Sequence, residues 1–311
     1  MNNIMDNLIS KIKEKQSPIV MGIDPRYDFI PNYIKNKYEN SVDGFAKASI
    51  EFAKGLIDSV YDIVPAIKPQ LAYFEAMGPE GLKAYQEIIE YAKSKDLIII
   101  SDAKRGDIGT TSKAYSNAFL GKTELNDKEE PIYDSDFVTV NPYMGSDSVN
   151  PFIEDCKNYN KGLFVLIKTS NKSSGELQDL ILENGKRVYE HVAGLVDNWG
   201  NDMIGDYGYS SVAAVVGATY PTQLKELREL MPHTFFLIPG YGAQGGKAED
   251  IALAFDKNGL GGIINASRSL MCAYKSDKWK DKYTEEQYGE ATRAEAIRMR
   301  DELNSAINKN I

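Results

Sequence analysis

Eight short apolar runs recur along the chain, at 19–24 (IVMGID), 63–70 (IVPAIKPQ), 97–104 (LIIISDAK), 137–143 (FVTVNPY), 163–170 (LFVLIKTS), 212–219 (VAAVVGAT), 235–242 (FFLIPGYG) and 262–268 (GIINASR). Each ends in polar or glycine-rich residues. Near-continuous Val/Ile/Leu runs of this length predict parallel strands buried on both faces. The stretches between them carry helical spacing and predict helices at 42–61, 79–93, 111–120, 147–157, 176–199, 221–230 and 248–258, with a terminal helix from about 284 to 308. Strand followed by helix, eight times over, predicts an α/β fold of the closed (β/α)8 TIM-barrel type. A doubly wound sheet would place a dinucleotide glycine fingerprint after its first strand, whereas here that strand runs into DPRYDFIP.

The amino terminus places Ile4, Leu8, Ile9 and Ile12 on one helical face, with Asp and Lys between them, which predicts an amphipathic helix rather than a signal peptide. No window approaches 18 uninterrupted apolar residues, so no transmembrane span is expected. Two segments exceed a minimal barrel: the charged, proline-broken 122–135, read as a surface excursion, and 271–283, a polar bridge to the last helix. Neither is long enough for a second domain. The expectation is one barrel domain over 1–311, with an N-terminal helix and a C-terminal helical extension.

Composition narrows the chemistry. Lys+Arg number 36 against Asp+Glu 45, a formal net charge of −9, and this argues against broad binding to nucleic acid or to an anionic membrane. Two cysteines, Cys156 and Cys272, exclude a disulfide framework or a four-thiolate zinc site and point to the cytoplasm. His191 and His233 are too few and too separated for a zinc hydrolase. Acid–base work falls to Lys, Asp, Glu or Tyr, and no metal is expected.

Barrel enzymes build their sites at the C-terminal ends of the strands. There the sequence offers Asp24 after the first strand, Lys68 in the second, Asp102 and Lys104 in the third with Asp107 after it, Thr169, Ser170 and Asn171 after the fifth, PGYGAQGG after the seventh, and Asn265, Ser267 and Arg268 at the eighth. Strand alternation puts Asp102 and Lys104 on one side, facing the pocket. Charges buried there need partners, and Lys68 with Asp107 completes an alternating Lys-Asp-Lys-Asp array. The alternative is a structural ion-pair network, but charges converging at the C-terminal rim of a barrel are more often functional. Gly240, Gly242, Gly245 and Gly246 permit close approach of backbone N–H groups to an anion, and Arg268 can grip it with parallel hydrogen bonds. Taken alone, that glycine-rich loop could be a flexible turn. Its place after strands seven and eight matches the phosphate site common in this fold.

The segment SDAKRGDIGTT, residues 101–111, carries D-x-K-x-x-D and resembles the signature of orotidine 5′-phosphate decarboxylases. With VTVNPYMG, IKTSN and IPGYGAQGG, the chain is similar to the longer-chain bacterial group of that family (type 2) from GIDP at 22–25 through NASRS at 265–269. The resemblance implies conversion of orotidine 5′-phosphate to UMP and carbon dioxide in de novo pyrimidine biosynthesis, without a cofactor. It implies that Lys104 protonates C6 of the pyrimidine, that Asp102 lies against the substrate carboxylate, and that Lys68 holds Asp102 and contacts the ribose. Asp24 and Gln70 are expected at the ribose, Thr169 and Ser170 at the pyrimidine edge, and Gln244 and Arg268 at the phosphate. Asp107 and Thr111 resemble the pair that reaches across a homodimer interface into the partner's site.

Direct decarboxylation leaves an electron pair on a ring carbon with no adjacent carbonyl to accept it, so preorganised positive charge and a positioned acid must lower the barrier. Phosphate binding remote from that carbon can drive closure of a loop, for which 240–246 is the candidate. Two rivals remain: a metal-dependent, aldolase-type phosphosugar enzyme, disfavoured by a lysine lying between two carboxylates, and a non-catalytic barrel that only binds phosphometabolites.

Overall fold

The apolar runs become strands because almost every strand residue is buried, one half against the barrel interior and the other half against helices. The computed structural model describes residues 3–242 and 246–311. Its strands are β1 (Ile19–Ile23), β2 (Ala66–Pro69), β3 (Ile98–Arg105), β4 (Phe137–Val140), β5 (Gly162–Lys168), β6 (Ser210–Val216), β7 (Thr234–Ile238) and β8 (Gly262–Ala266). They close in the order β1-β8-β7-β6-β5-β4-β3-β2, and every pairing is parallel. Alternate residues fill the inside, among them Val20, Ala66, Ile100, Phe137, Phe164 and Ile263. The intervening ones, such as Met21, Ile67, Ile99 and Val138, pack against the helical layer.

That layer comprises α2 (Val42–Val60), α3 (Gly78–Ser94), α4 (Gly109–Phe119), α5 (Ser146–Tyr159), α6 (Val188–Gly200), α7 (Pro221–Leu230), the short α8 (Ala248–Ala252) and α9 (Tyr288–Asn310), all preceded in the chain by α1 (Ile4–Lys15). The (β/α)8 expectation from the apolar pattern is met.

Helix α1 plugs the N-terminal mouth. Met5, Leu8 and Ile9 are fully buried and belong to the same apolar cluster as the barrel interior. Asn3 and Asp6 form a capping box, and the Asp6 carboxylate also accepts from the backbone N–H of Asp206 at 2.9 Å and of Tyr207 at 3.0 Å, which ties the plug to the segment before β6. With that end filled, the C-terminal ends of the strands are left to form a pocket. No helix among the described residues is long and apolar enough to cross a membrane.

Several boundaries depart from the apolar pattern, and proline explains most of them. Strand β2 starts after Pro65, β4 stops before Asn141–Pro142 and β7 stops before Pro239, since proline cannot donate to the ladder. The single helix expected at 176–199 is broken: a helical turn at Gly175–Gln178 is followed by a bridge between Ile181 and Arg187, with Gly185 at φ +80° in the turn, and only then by α6. The helix expected at 248–258 ends early because the Asp256 carboxylate accepts from the backbone N–H of Asn258 (2.8 Å) and Leu260 (2.9 Å), organising a turn instead. The 122–135 excursion carries a small antiparallel pair, Thr123–Glu124 with Glu129–Glu130.

If α1 is part of the core, Leu8→Ala should lower unfolding stability by about 3 kcal/mol, read by urea denaturation. A loss below about 1 kcal/mol would instead mark the helix as a loosely attached appendage.

Candidate active site

The inward-facing rows carry the site. Lys68 follows Ala66, Asp102 follows Ile100, Thr139 follows Phe137 and Asn265 follows Ile263, each two residues further along its strand and so on the same side. Together with Asp24, Lys104 and Ser170 they line a cavity of about 410 Å³ at the C-terminal mouth.

Asp102 is the centre of this cavity wall. It is 5% exposed, and its two carboxylate oxygens accept four hydrogen bonds. Lys68 Nζ at 2.6 Å and Gln70 Nε2 at 2.9 Å donate to Oδ2, while Lys104 Nζ at 2.5 Å and Thr139 Oγ1 at 3.0 Å donate to Oδ1. Burial alone would push the Asp102 carboxyl up, but the Lys68 and Lys104 ammonium groups more than offset it and hold it well below the usual carboxylate range. Burial likewise works against a charged Lys68, and the carboxylates of Asp102 and then Asp24 keep its ammonium above the ordinary lysine value. Lys68 is enclosed, whereas the Lys104 side chain is 45% exposed and open to the cavity.

Lys104 and Asp102 do face one way, though regular alternation is not the reason. Ser101 pairs with Val138 and Arg105 with Val140, so residues 102–104 stand opposite Thr139 alone. This bulge puts Lys104 at φ +48°, a left-handed conformation that a side-chain-bearing residue adopts at a cost of about 1 kcal/mol or more. The Lys104 N–H, out of the ladder, donates to Thr139 Oγ1 at 2.9 Å.

A second cavity of about 280 Å³ adjoins the first and shares Asp24, Pro239 and Asn265 with it. Arg268, Arg26, Gly240 and Tyr241 form its other walls. Asp24 Oδ1 and Asn265 Oδ1 are buried at the shared wall without a hydrogen-bond partner among the described residues, so both are acceptors that await a donor. The strands approach closely here: a Cβ on Gly22 would come within 1.9 Å of Ser267 Oγ. Of the expected phosphate loop, Gly240 (φ +103°) and Gly242 (φ +70°) take conformations that favour glycine. Gln244 and Gly245 lie outside the described residues.

Beyond β5 the chain is anchored from below. Lys168, fully buried, donates to Asp179 Oδ1 at 2.8 Å and lies 4.8 Å from the centre of the Tyr220 ring. Gln178 then holds Thr169 twice, accepting from its backbone N–H at 3.0 Å and donating to its Oγ1 at 2.8 Å, while Thr169 Oγ1 donates to Asn171. The Thr169 hydroxyl is thus committed to protein partners, while no hydrogen bond ties the Ser170 hydroxyl to a described residue. Gln70, expected at a ribose, spends its amide on Asp102.

The four-charge array is therefore complete within one chain for only three members. Asp107 is bonded to the N–H of Ile108 at 2.7 Å and forms no ion pair with Lys68 or Lys104, because the chain turns outward after the bulge. Thr111, in the first turn of α4, is exposed on the same rim. Sequence reasoning missed Thr139 and the Lys168–Asp179 anchor. The signal for Thr139 was its inward register in FVTV; for the anchor it was a lysine inside an apolar run.

The depressed Asp102 carboxyl gives a pH signature. A group held below its unfolded value of about 3.9 contributes stability that is fully present above that pH and is lost as pH falls through the folded value. Asp102→Asn should therefore cost about 3 kcal/mol at pH 7 by leaving Lys68 unpaired, and should flatten the fall in stability below about pH 4. Urea melts from pH 3 to pH 8 check this. Superimposable acid limbs for the two proteins would contradict it.

The description "Orotidine 5'-phosphate decarboxylase / HUMPS family" belongs to the family model that matches residues 18–279. Curated orotidine 5′-phosphate decarboxylases from Caldicellulosiruptor bescii and Clostridium tetani are 41% and 42% identical to the chain, covering 99% and 98% of it and 100% and 99% of their own lengths. The solved Leishmania donovani OMP decarboxylase superposes with a TM-score of 0.72 at 29% identity, over 98% of this chain and 99% of that one. On a match that spans the whole barrel and relatives alike from end to end, the chain belongs to the orotidine 5′-phosphate decarboxylase / HUMPS family.

Proposed function

We propose that this barrel binds orotidine 5′-phosphate and releases UMP and carbon dioxide, a step of de novo pyrimidine (UMP) biosynthesis. The chain is an enzyme of the carboxy-lyase class. The observation that carries the reading is the Lys68–Asp102–Lys104 array at the mouth of the barrel, beside a cavity walled by Arg268.

The C6–carboxylate bond breaks, carbon dioxide departs, and the electron pair left on C6 takes a proton from the Lys104 ammonium. Lys104 suits both the stabilising and the proton-donating role, because it is charged, held by Asp102 and exposed toward the cavity. Lys68, locked against Asp102, supplies a second fixed positive charge. Asp102 lies where it would repel a substrate carboxylate while holding the Lys104 ammonium beside it. Asp24 and Asn265, with acceptor oxygens unpartnered at the wall between the cavities, suit ribose hydroxyls. The Ser170 hydroxyl suits the pyrimidine edge, with Thr169 behind it. Arg268 with Gln244 would take the phosphate. No cofactor enters this chemistry.

Asp107 and Thr111 stand on the rim, and Asp107 forms no ion pair with Lys68 or Lys104 of its own chain among the described residues. The reading assigns them to the site of a second copy, in an isologous homodimer, and places the enzyme in the cytoplasm. The metal-dependent aldolase rival is disfavoured by Asp102, whose oxygens are already engaged by two ammonium groups, an amide and a hydroxyl.

The direct test follows the loss of orotidine 5′-phosphate absorbance with and without a chelator. Turnover should be unaffected by chelation, and Lys104→Ala should bind UMP while losing about a thousandfold or more in kcat. Turnover of that variant within tenfold of wild type would remove Lys104 from its role. A second test mixes Asp107→Ala with Lys104→Ala, each inactive alone. Hybrid dimers should recover part of the activity, and no recovery despite demonstrated subunit exchange would put Asp107 back in its own chain's site.

A further inference from the structure

We infer that Thr139 is a positioning residue for the decarboxylation, its hydroxyl aiming the Lys104 ammonium by joining the Lys104 backbone to the Asp102 carboxylate. The inference rests on the function proposed above and concerns a residue whose hydroxyl is engaged by Lys104 and Asp102.

Thr139 is 1% exposed on the inward face of β4. Its single oxygen works in two directions, accepting from the Lys104 N–H at 2.9 Å and donating to Asp102 Oδ1 at 3.0 Å. Asp102 Oδ1 in turn accepts from Lys104 Nζ at 2.5 Å. The three contacts close a ring: backbone of Lys104, hydroxyl of Thr139, carboxylate of Asp102, ammonium of Lys104. A lysine stem has four freely rotating bonds, and this one hangs from a Cα in a left-handed conformation on a three-residue bulge. The bulge removes the ladder partner that the Lys104 N–H would otherwise have on β4, and the hydroxyl replaces it. The same oxygen therefore fixes both ends of the reach, the Cα from which the side chain leaves and the carboxylate on which it rests.

Thr139→Val keeps the shape and removes that oxygen. The Lys104 N–H loses its acceptor and Asp102 Oδ1 loses a donor, while Lys68 and Gln70 still hold Oδ2. Substrate binding, which this reading gives to the phosphate and ribose contacts, stays. The proton donor loses its aim. Misplacement of a reacting group by about 1 Å costs on the order of a hundredfold, so kcat should fall about 10- to 100-fold with KM within about threefold, the signature of an interaction that matters in the transition state only.

The experiment compares wild type, Thr139→Val, Thr139→Ala, Thr139→Ser and, as a structural control, Ser135→Ala. Ser135 Oγ contacts Ser101 Oγ at 2.6 Å, and Ser101 also meets Tyr85 OH at 2.5 Å, on the outward face of the same strand pair. Steady-state kinetics on orotidine 5′-phosphate, UMP affinity by calorimetry and melting midpoints are measured for each. The valine and alanine variants should lose kcat with UMP affinity kept, and either one suffices if the other does not fold. Serine should restore kcat to within about threefold of wild type, because it returns the oxygen. Ser135→Ala should lower the melting midpoint and leave kcat alone. The proposal is overturned if valine or alanine stays within threefold of wild-type kcat, if serine is as slow as valine, or if kcat falls only in step with the melting midpoint. Wild type that leaves orotidine 5′-phosphate intact would overturn the functional reading and the role of Thr139 with it, an outcome visible in the first arm alone.

Discussion

One ionised carboxylate, Asp102, sets the geometry of this barrel's mouth. It is almost wholly buried in the wall of the cavity, and a carboxylate in such a place is tolerated only when its lone pairs are filled by strong donors. Four donors do this, and they come from the end of β2 (Lys68, Gln70), the bulge of β3 (Lys104) and the middle of β4 (Thr139). Three neighbouring strands are therefore pinned to one another through a side chain, at the end of the barrel where the backbone ladder is irregular. Removing any one donor leaves a buried charge less than fully paired, so the array behaves as a unit and its members are not expected to contribute additively.

The rest of the fold can be read as what lets that unit exist. The opposite mouth is filled by α1, so the interior below the array is an apolar cluster, from Ile9 through Phe164 to Ile100. A low-dielectric floor strengthens the attraction between Lys68 and Asp102 as much as it penalises either alone. Sideways support comes from the strained Lys104 backbone, which persists because its N–H and its ammonium are both held. The Lys168–Asp179 anchor does similar work on the far side of the cavity, where it fixes the segment that presents Thr169 and Ser170.

How much of this was legible in the sequence follows from what each residue must do. The eight strands were, because burial on both faces leaves an unbroken apolar run. Lys68, Asp102 and Lys104 were, because a charge inside such a run is conspicuous. Thr139 was legible in place but not in role: FVTV puts it on the inward row, yet threonine is an ordinary strand former, and only the register across the bulge gives its hydroxyl two partners. The break in the expected 176–199 helix escaped because its local spacing is helical, while the tertiary pull of Lys168 on Asp179 and of Thr169 on Gln178 takes the segment away from it. Asp107 was legible as chemistry but not as place. Its spacing from Asp102 suggests an array along one strand, and the chain leaves the strand after Arg105.

The distribution of charge between the two cavities explains how an acidic chain could favour the proposed substrate, which carries both a phosphate and a carboxylate. Around the first cavity Lys68 and Lys104 are balanced in number by Asp24 and Asp102, so on the proposed reading the end where carboxylate would be lost carries no net charge to favour a carboxylate. Around the second, Arg26 and Arg268 outweigh the shared Asp24, although Arg26 is already paired with Asp28. On the proposed reading, attraction for substrate is concentrated at the phosphate end, and the reacting end is organised instead to suit what appears after the bond breaks, an electron pair at C6 facing the Lys104 ammonium. Binding energy gathered at one end and used at the other is how a site raises kcat rather than merely tightening its grip. An Asp107 carboxylate arriving from a second copy would extend the same arrangement, adding negative charge beside the lysines and holding the ammonium groups in place while making the reacting end still less hospitable to the substrate carboxylate.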